Sequence, residues 1–285
     1  MDKLLAWSVA QQSGDKEAIE KIGKPDEKVL SQLFGGPDEP TLMKQSIDIV
    51  NDPTVELKDK EIALENFEML IENLDNANNI ENMKLWSSIV KLLDGETPDS
   101  LRILAVSIIS IAVQNNDKAQ DDFLKYDGFE RLLAIYPDAS FTLKLKVLFA
   151  ISSLIRNNLN SFKFFNKLNG WEILKAPEDV DSKQKDKLNI RLLSVISSII
   201  SNTKEFKPEI EPKLNEFKVI SFIIDNLSSN INCSEKSLQN LNQLINLNYK
   251  FDDDELSQLT SSIKQIQHLK EDYPTEFKAI ESITK

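Results

Sequence analysis

Apolar side chains recur every three or four residues along most of this chain, the spacing of a helix with one buried face. The first clear stripe consists of Ala63, Phe67, Leu70, Ile71 and Leu74. A second stripe consists of Met83, Trp86, Ile89, Val90 and Leu93. The polar run DNANN, residues 75–79, lies between them and favours a turn, because Asn and Asp side chains bond to nearby backbone. The pattern predicts a helix, a polar turn and a second packed helix.

The same pattern recurs three more times downstream. The segments 63–74, 105–116, 147–158 and 192–203 align at offsets of 42, 42 and 45 residues. The eleventh position is always asparagine: Asn73, Asn115, Asn157 and Asn202. An aromatic residue follows in each copy: Trp86, Phe129, Trp171 and Phe217. Repeats of about 40–47 residues with two or three helices are typical of armadillo and HEAT arrays. We therefore predict an all-α, armadillo-like superhelical repeat (a solenoid) with helical caps at both ends.

Breaks rich in Gly, Pro and Asp indicate where the chain divides. The clearest is LFGGPDEPT, residues 33–41, after which Thr41 is expected to cap a helix that Asn51-Asp52-Pro53 ends. We predict a flexible N-terminal module and linker over 1–40 and a repeat domain over 41–285. The repeats are expected at about 57–96, 97–138, 139–180 and 187–230, with a C-terminal cap over 231–285. A charged break at 176–187 and the two prolines of EFKPEIEP, residues 205–212, make the fourth repeat irregular.

The N-terminal 22 residues are predicted to form a short amphipathic helix with Leu4, Leu5 and Trp7 on its apolar side. Two interpretations stay open. The helix either caps the exposed end of the solenoid or is a mobile segment that binds a partner through Leu5 and Trp7. Isolated helices of this length are marginal in water, so order here depends on docking.

Composition and charge narrow the possible partners. The net charge of −12 repels phosphate backbones and acidic lipid headgroups, so neither nucleic acid nor a membrane is expected as a partner. No apolar run approaches the ~20 residues that cross a bilayer. The N-terminus lacks the apolar region of a signal peptide, and the single Cys233 fits a reducing compartment. We expect a cytoplasmic monomer.

No arrangement of residues typical of catalysis or metal binding is present in the sequence. His268 is the only histidine and Cys233 the only cysteine, which excludes a zinc site. The Gly-rich and nucleophile motifs of nucleotide-binding proteins and hydrolases are missing. We therefore expect no enzyme activity, no metal and no cofactor.

What remains as a candidate site is a surface. In a curved solenoid the last helix of each repeat lines the inner side, and residues four apart form ladders facing a partner. The predicted partner-binding residues on this ladder are Glu65, Met69, Glu72, Asn73, Ala77, Ser107, Ile111, Asn115, Phe149, Ser153, Arg156, Asn157, Arg191, Ser194 and Ser198. Asn202 continues the fourth rung. The alternative for the four repeated asparagines is capping of helix C-termini. The alternative for the apolar rungs is packing against the next repeat.

The segment FEMLIENLDNANNIENMKLW, residues 67–86, closely resembles the armadillo-type nucleotide exchange factors of heat shock protein 70 chaperones. LLAWSVAQQSGD, LFGGPDEPTLMK, AVQNN and LIRNN match as well, so the resemblance covers most of the chain. It implies that the inner face grips the smaller lobe of the chaperone's nucleotide-binding domain, opens the cleft and releases ADP. It also implies that the N-terminal segment with Leu4, Leu5 and Trp7 helps to eject bound polypeptide.

Two positions on the predicted face have a specific expected use. The small side chain of Ala77 is expected to let the partner approach closely, without belonging to the core. Arg191 is expected to reach a carboxylate or carbonyl of the chaperone lobe.

The competing interpretation is an armadillo adaptor or scaffold for extended peptides. Adaptors of that kind carry a ladder of Trp and Asn on the last helix of each repeat. The Trp positions here hold Glu65, Ser107, Phe149 and Ser194, and the Asn positions hold Met69, Ile111, Ser153 and Ser198.

Overall fold

A computed structural model of the chain describes residues 13–14, 16–22, 37–175 and 181–284. The chain divides into two compact units, Met1–Gln45 and Ser46–Lys285. The described residues of the first unit include helix α1 (Lys16–Ile22), and the boundary between the units falls within α2 (Glu39–Asn51). Leu4, Leu5 and Trp7 lie outside the described residues, so their role remains a prediction.

The second unit is built from helices joined by short turns. They are α3 (Leu57–Leu70), α4 (Leu74–Asn82), α5 (Trp86–Lys91), α6 (Asp99–Ala112), α7 (Asp117–Phe123), α8 (Gly128–Ile135), α9 (Phe141–Ile155), α10 (Leu159–Lys167), α11 (Ser182–Ile200), α12 (Thr203–Glu216), α13 (Val219–Asp225), α14 (Ile231–Asn246), α15 (Asp253–Gln265) and α16 (Pro274–Ile283). Short 3-10 turns lie at Leu124–Tyr126, Gly170–Leu174, Asn226–Ser228 and Gln267–Leu269. All regular structure in the described part of the chain is helical, which confirms the all-α prediction.

The long helices form a single row, because α3, α6, α9, α11 and α14 each pack on the next. Shorter helices follow each long one and cover one side of the row. Each long helix buries an apolar side, as at Phe67, Val106, Ile151, Ile196 and Leu241. The first predicted stripe is only partly buried, because Leu70 is half-buried and Leu74, at the start of α4, is 59% exposed. The aromatic marker positions Trp86, Phe129 and Trp171 are buried too, as the repeat pattern predicts. Phe217 is half-buried.

The structure corrects the predicted turn at DNANN. These residues lie inside helix α4, and the chain turns earlier, at 71–73. Asn73 caps α4, because its Oδ1 accepts a hydrogen bond from the amide of Asp75 at 2.9 Å. Asn76, Ala77 and Ile80 are buried on the inner side of α4. Burial of this short apolar side outweighs the preference of Asn and Asp for turns.

Other helix boundaries also differ from the sequence prediction. Helix α2 begins at Glu39, and Asp38 rather than Thr41 caps it by accepting the amide of Thr41 at 2.9 Å. Helix α11 begins at Ser182, inside the predicted break, with Asp181 as its cap. The predicted irregularity of the fourth repeat is confirmed at Phe206 in α12, where the backbone leaves the helical region two residues before Pro208.

Two glycines allow aromatic rings to pack close to the backbone. A Cβ on Gly128 would lie 2.3 Å from the Phe123 ring, and one on Gly170 would lie 2.4 Å from the Phe165 ring. Both distances are too short for any other residue. The sequences DGF and NGW carry these glycines at matching positions of consecutive repeats, and in the second the Trp171 ring lies 5.8 Å from the Phe165 ring.

Candidate partner-binding face

The ladder face consists of the predicted positions on α3, α6, α9 and α11 and the turns that follow those helices. The structure exposes some of the predicted residues and leaves others half-buried. The exposed ones are Glu65, Met69, Glu72, Asn73, Asn115 and Asn157. The half-buried ones are Ile111, Phe149, Arg156, Arg191 and Ser194. These eleven positions are accessible to a partner.

Four predicted contact positions are buried instead, namely Ala77, Ser107, Ser153 and Ser198. The side chain of Ala77 is buried on the packed side of α4. The prediction that a partner approaches this side chain closely is therefore wrong. Ser198 lies in the helix interface and donates to the carbonyl of Ser194 at 3.1 Å. Residues four apart lie on the same side of an α-helix only approximately. The line of predicted positions therefore runs from the surface into the core, and these four residues lie on its buried part.

Ser107 links three long helices below the surface of the face. Its Oγ donates to Glu68 Oε1 of α3 at 2.8 Å and accepts from Lys146 Nζ of α9 at 2.8 Å. These two hydrogen bonds therefore connect α6 to the helices on either side of it in the row, α3 and α9. Ser107 contributes to the spacing of the helices rather than offering a group to a partner.

The repeated asparagines serve three different purposes. Asn115 and Asn157 lie in the turns after α6 and α9 in the left-handed conformation, with φ of 53° and 55°. The C-caps of these helices are Val113 and Arg156, so the capping alternative does not hold for the two asparagines. Asn73 caps the start of α4. Asn202 is fully buried, and its Nδ2 donates to the carbonyls of Ile155 and Ser198 at 2.8 and 2.9 Å. The prediction that Asn202 lies on the exposed ladder is therefore wrong.

A second asparagine follows directly after two of these helix ends. Asn116 and Asn158 cap the next short helices by accepting the amides of Ala119 and Ser161. The Asn-Asn pairs in the sequence are the signal that identifies this arrangement: the first residue takes the left-handed conformation in the turn, and the second caps the start of the next helix. The turns that shape the face are thereby fixed by local hydrogen bonds.

Buried Gln120 holds neighbouring repeats together behind the face. Its Nε2 donates to the carbonyls of Val113 and Ser153 at 3.1 and 2.8 Å, and its Oε1 accepts from Asn158 Nδ2 at 2.9 Å. One side chain thus satisfies polar groups on two consecutive repeats. Gln120 is not among the residues predicted from the sequence.

The face has opposite charge at its two ends. Exposed Glu65 on α3 and exposed Glu72 in the turn after it flank Met69, which is 70% exposed. At the other end, a groove of about 360 Å³ brings together six predicted residues: Asn115, Phe149, Ser153, Arg156, Arg191 and Ser194. We call it the basic groove. Gln114, Ser152 and Lys236 complete its lining.

Arg191 is held in the basic groove by an aromatic ring. Its guanidinium carbon lies 4.7 Å from the centroid of the Phe149 ring, within the range of a cation–π interaction. Burial lowers the pKa of Arg191 and also that of Arg156. Both remain charged at neutral pH, because an arginine pKa starts far above it.

Lys236 is the charged residue of this site that was not predicted from the sequence, as Gln114 and Ser152 were not. It lies on α14, which was predicted to be part of a terminal cap but packs on α11 as the next member of the row. A signal for this was available. Asn248 follows α14 with φ of 55°, the same left-handed conformation that Asn115 and Asn157 adopt after α6 and α9.

Groups suited to covalent or redox chemistry are not assembled on this face. Among the described residues, no cluster of three or more His, Cys, Asp or Glu side chains is positioned to hold a metal ion. Cys233 is buried, and that burial raises the pKa of its thiol. None of the described helices has the length and apolar character needed to span a membrane.

Comparison with known proteins identifies the family. Residues 1–80 match the family model described as nucleotide exchange factor Fes1, and residues 76–222 match the SIL1/FES1/HPBP1 C-terminal domain. The chain belongs to the SIL1/FES1/HPBP1 family. It is 49% identical to the Hsp70 nucleotide exchange factor FES1 of Debaryomyces hansenii, over 95% of both chains. The protein of that name from Saccharomyces cerevisiae is 44% identical, also over 95% of both.

Solved structures confirm the architecture of this family member. A designed armadillo repeat protein in complex with a (KR)4 peptide superposes with a TM-score of 0.66, covering 86% of this chain and all of that one. A second designed armadillo repeat protein gives 0.64 over 85% of this chain. Their sequences are 15% and 14% identical to it, so the likeness concerns the fold alone. The predicted armadillo-like solenoid is confirmed.

Proposed function

We propose that this protein is a nucleotide exchange factor for a cytosolic heat shock protein 70 chaperone. It binds the nucleotide-binding domain of the chaperone through the ladder face and accelerates the release of ADP, which leads to release of the client polypeptide. The observation that carries the proposal is the match to relatives named Hsp70 nucleotide exchange factor, which extends over 95% of both chains. Nothing in the comparisons favours an adaptor for extended peptides.

A binding protein without catalytic groups accelerates ADP loss only through differential affinity. It must bind the open, nucleotide-free arrangement of the chaperone more tightly than the closed one. The coupling is reciprocal, so bound nucleotide weakens the complex by the same factor. A thousandfold acceleration through this coupling corresponds to about 4 kcal/mol of differential contact. The ladder face offers apolar Met69, Ile111 and Phe149 together with the charged groups at both ends.

Several finer statements belong to the same proposal. The protein acts as a monomer, without enzyme activity of its own, in the reducing environment of the cytoplasm. The predicted N-terminal module, with Leu4, Leu5 and Trp7, assists the release of client polypeptide. The repeat domain binds the chaperone, and the single buried cysteine is consistent with a reducing compartment.

Stopped-flow measurement of labelled ADP leaving a cytosolic heat shock protein 70 tests the proposal. We expect a concentration-dependent increase in the ADP off-rate, and a weaker complex when ADP is in excess. The baseline is the ADP off-rate measured after addition of unlabelled ATP without this protein. An unchanged off-rate for every cytosolic chaperone of this class would refute the exchange activity, whatever the affinity of the complex.

A further inference from the structure

Cations from three consecutive long helices converge on the basic groove. Arg156 directly follows α9, Arg191 lies on α11 and Lys236 lies on α14. Gln114 and Asn115 add side-chain amides at the end of α6. The groove therefore collects hydrogen-bond donors from four members of the row, and its third cation comes from the helix predicted to be part of the cap.

The positive charge of the groove is not neutralised by the protein. In the part of the chain that the structure describes, every ion pair involves other residues, and Arg156 and Arg191 have no carboxylate within 4.0 Å. The C-terminus of α9 beside Arg156 supplies only about half a negative charge. Two half-buried guanidinium groups thus remain without a counter-charge, in a chain whose net charge is −12.

The groups facing the groove are suited to an oxyanion. The hydroxyls of Ser152 and Ser194 already donate to the carbonyls of Phe149 and Ile190 at 2.9 and 2.8 Å. Donors for a bound group therefore come from the two arginines, the amides and the lysine, whose Nζ also donates to Gln239 Oε1 at 3.3 Å. Arginine and lysine have no acceptor atoms, and guanidinium groups bind carboxylates and phosphates in a planar, two-bond geometry.

The size and walls of the groove favour an anion carried on a side chain. Its volume of about 360 Å³ is large compared with the ~30 Å³ occupied by one water in the liquid. The Phe149 ring, against which Arg191 lies at 4.7 Å, provides an apolar wall for a carbon stem. An aspartate or glutamate side chain brings both a stem and a carboxylate.

We infer that Arg156, Arg191 and Lys236 form one oxyanion site, and that it binds a side-chain carboxylate of the chaperone's nucleotide-binding domain. The inference rests on the proposed function for the identity of the partner. It adds α14 to the binding surface and places an acidic group of the chaperone opposite the basic groove.

The oxyanion site is tested first on the full-length protein alone, with inorganic phosphate as the probe. We expect the Nε–Hε NMR signals of Arg156 and Arg191 to shift saturably with phosphate at constant ionic strength. Lys236→Met is expected to weaken this binding at least fivefold. Lys264→Met removes an exposed lysine from α15 and serves as the matched control, which should leave the binding unchanged. Equal phosphate affinity in both variants would overturn the three-cation site.

The carboxylate is tested next with the chaperone's nucleotide-binding domain and calorimetry. Lys236→Met should weaken the complex about five- to tenfold relative to Lys264→Met, while both variants melt within a few degrees of the parent. Phosphate should raise the Kd of the parent complex beyond the effect of sodium chloride at the same ionic strength. Phosphate binding without this competition would overturn the carboxylate assignment and leave a site for free anions.

The two proposals fail in different ways. A parent protein that does not change the ADP off-rate refutes the exchange function and, with it, the carboxylate of the chaperone. The phosphate titration of the isolated protein still decides whether the oxyanion site exists. If the parent accelerates ADP release and the Lys236→Met variant binds the nucleotide-binding domain as tightly as the parent does, only the inference about the oxyanion site is refuted.

Discussion

Arg191→Ala is expected to weaken binding of the chaperone's nucleotide-binding domain about thirtyfold. Removing one partner of a fully desolvated charge pair costs about 2–5 kcal/mol, whereas an exposed pair contributes about 0.2–1 kcal/mol. Arg191 is half-buried before any partner binds, and no carboxylate among the described residues pairs with it. We therefore expect about 2 kcal/mol, which corresponds to the thirtyfold change in Kd.

The fold should tolerate this change. Loss of the cation–π contact with Phe149 removes about 0.5–1 kcal/mol, and removal of a partly desolvated charge offsets some of it. A net effect below about 1 kcal/mol shifts the melting temperature by less than about 4 °C in a domain of this size. Weakened binding would then reflect a lost contact rather than unfolding.

Calorimetry of the parent, Arg191→Ala, Arg191→Lys and Lys187→Ala separates the causes. Lys187→Ala removes an exposed cation from the same helix and should cost little. Arg191→Lys keeps the charge but loses the planar fork, so an intermediate affinity is expected. Undiminished affinity of Arg191→Ala in a folded protein would mean that the partner binds a different face of the solenoid.

Three further predictions concern the frame of this site. Ala77→Arg should destabilise the fold by several kcal/mol and lower its melting temperature by about 8 °C or more, because Ala77 is only 3% exposed; unchanged melting with lost binding would instead place Ala77 at the interface. Gln120→Leu should lower the free energy of unfolding by about 3 kcal/mol, because it leaves the buried carbonyl of Ser153 and the side-chain amide of Asn158 without their partner. Gln265→Leu, at an exposed position, is the control, and equal unfolding curves for the two variants would contradict this role of Gln120. A truncated protein beginning at Pro37, which keeps the Asp38 cap, should melt cooperatively and still bind the nucleotide-binding domain; loss of cooperative melting would show that the N-terminal residues are a structural cap.

The sequence by itself determined the features that repeat. A period of about 42 residues with a buried apolar stripe on each copy requires stacked helical units, because one unit cannot bury its stripe alone. The buried aromatics Trp86, Phe129 and Trp171 follow from the same alignment. Apolar spacing is a local property that chain neighbours reveal, so the helices and the solenoid were predictable.

Tertiary structure alone decided which side of each helix remains accessible. Ala77 and Ser198 occupy ladder positions in the alignment, yet neighbouring helices cover both. DNANN is polar and turn-forming by composition, but packing of Asn76, Ala77 and Ile80 makes it a helix. The sequence pointed to Arg156 and Arg191 separately, and α14 brought Lys236 beside them. Arg156, Arg191 and Lys236 are some 35–80 positions apart in the chain. The apolar spacing along each helix does not predict that residues so far apart meet in one groove.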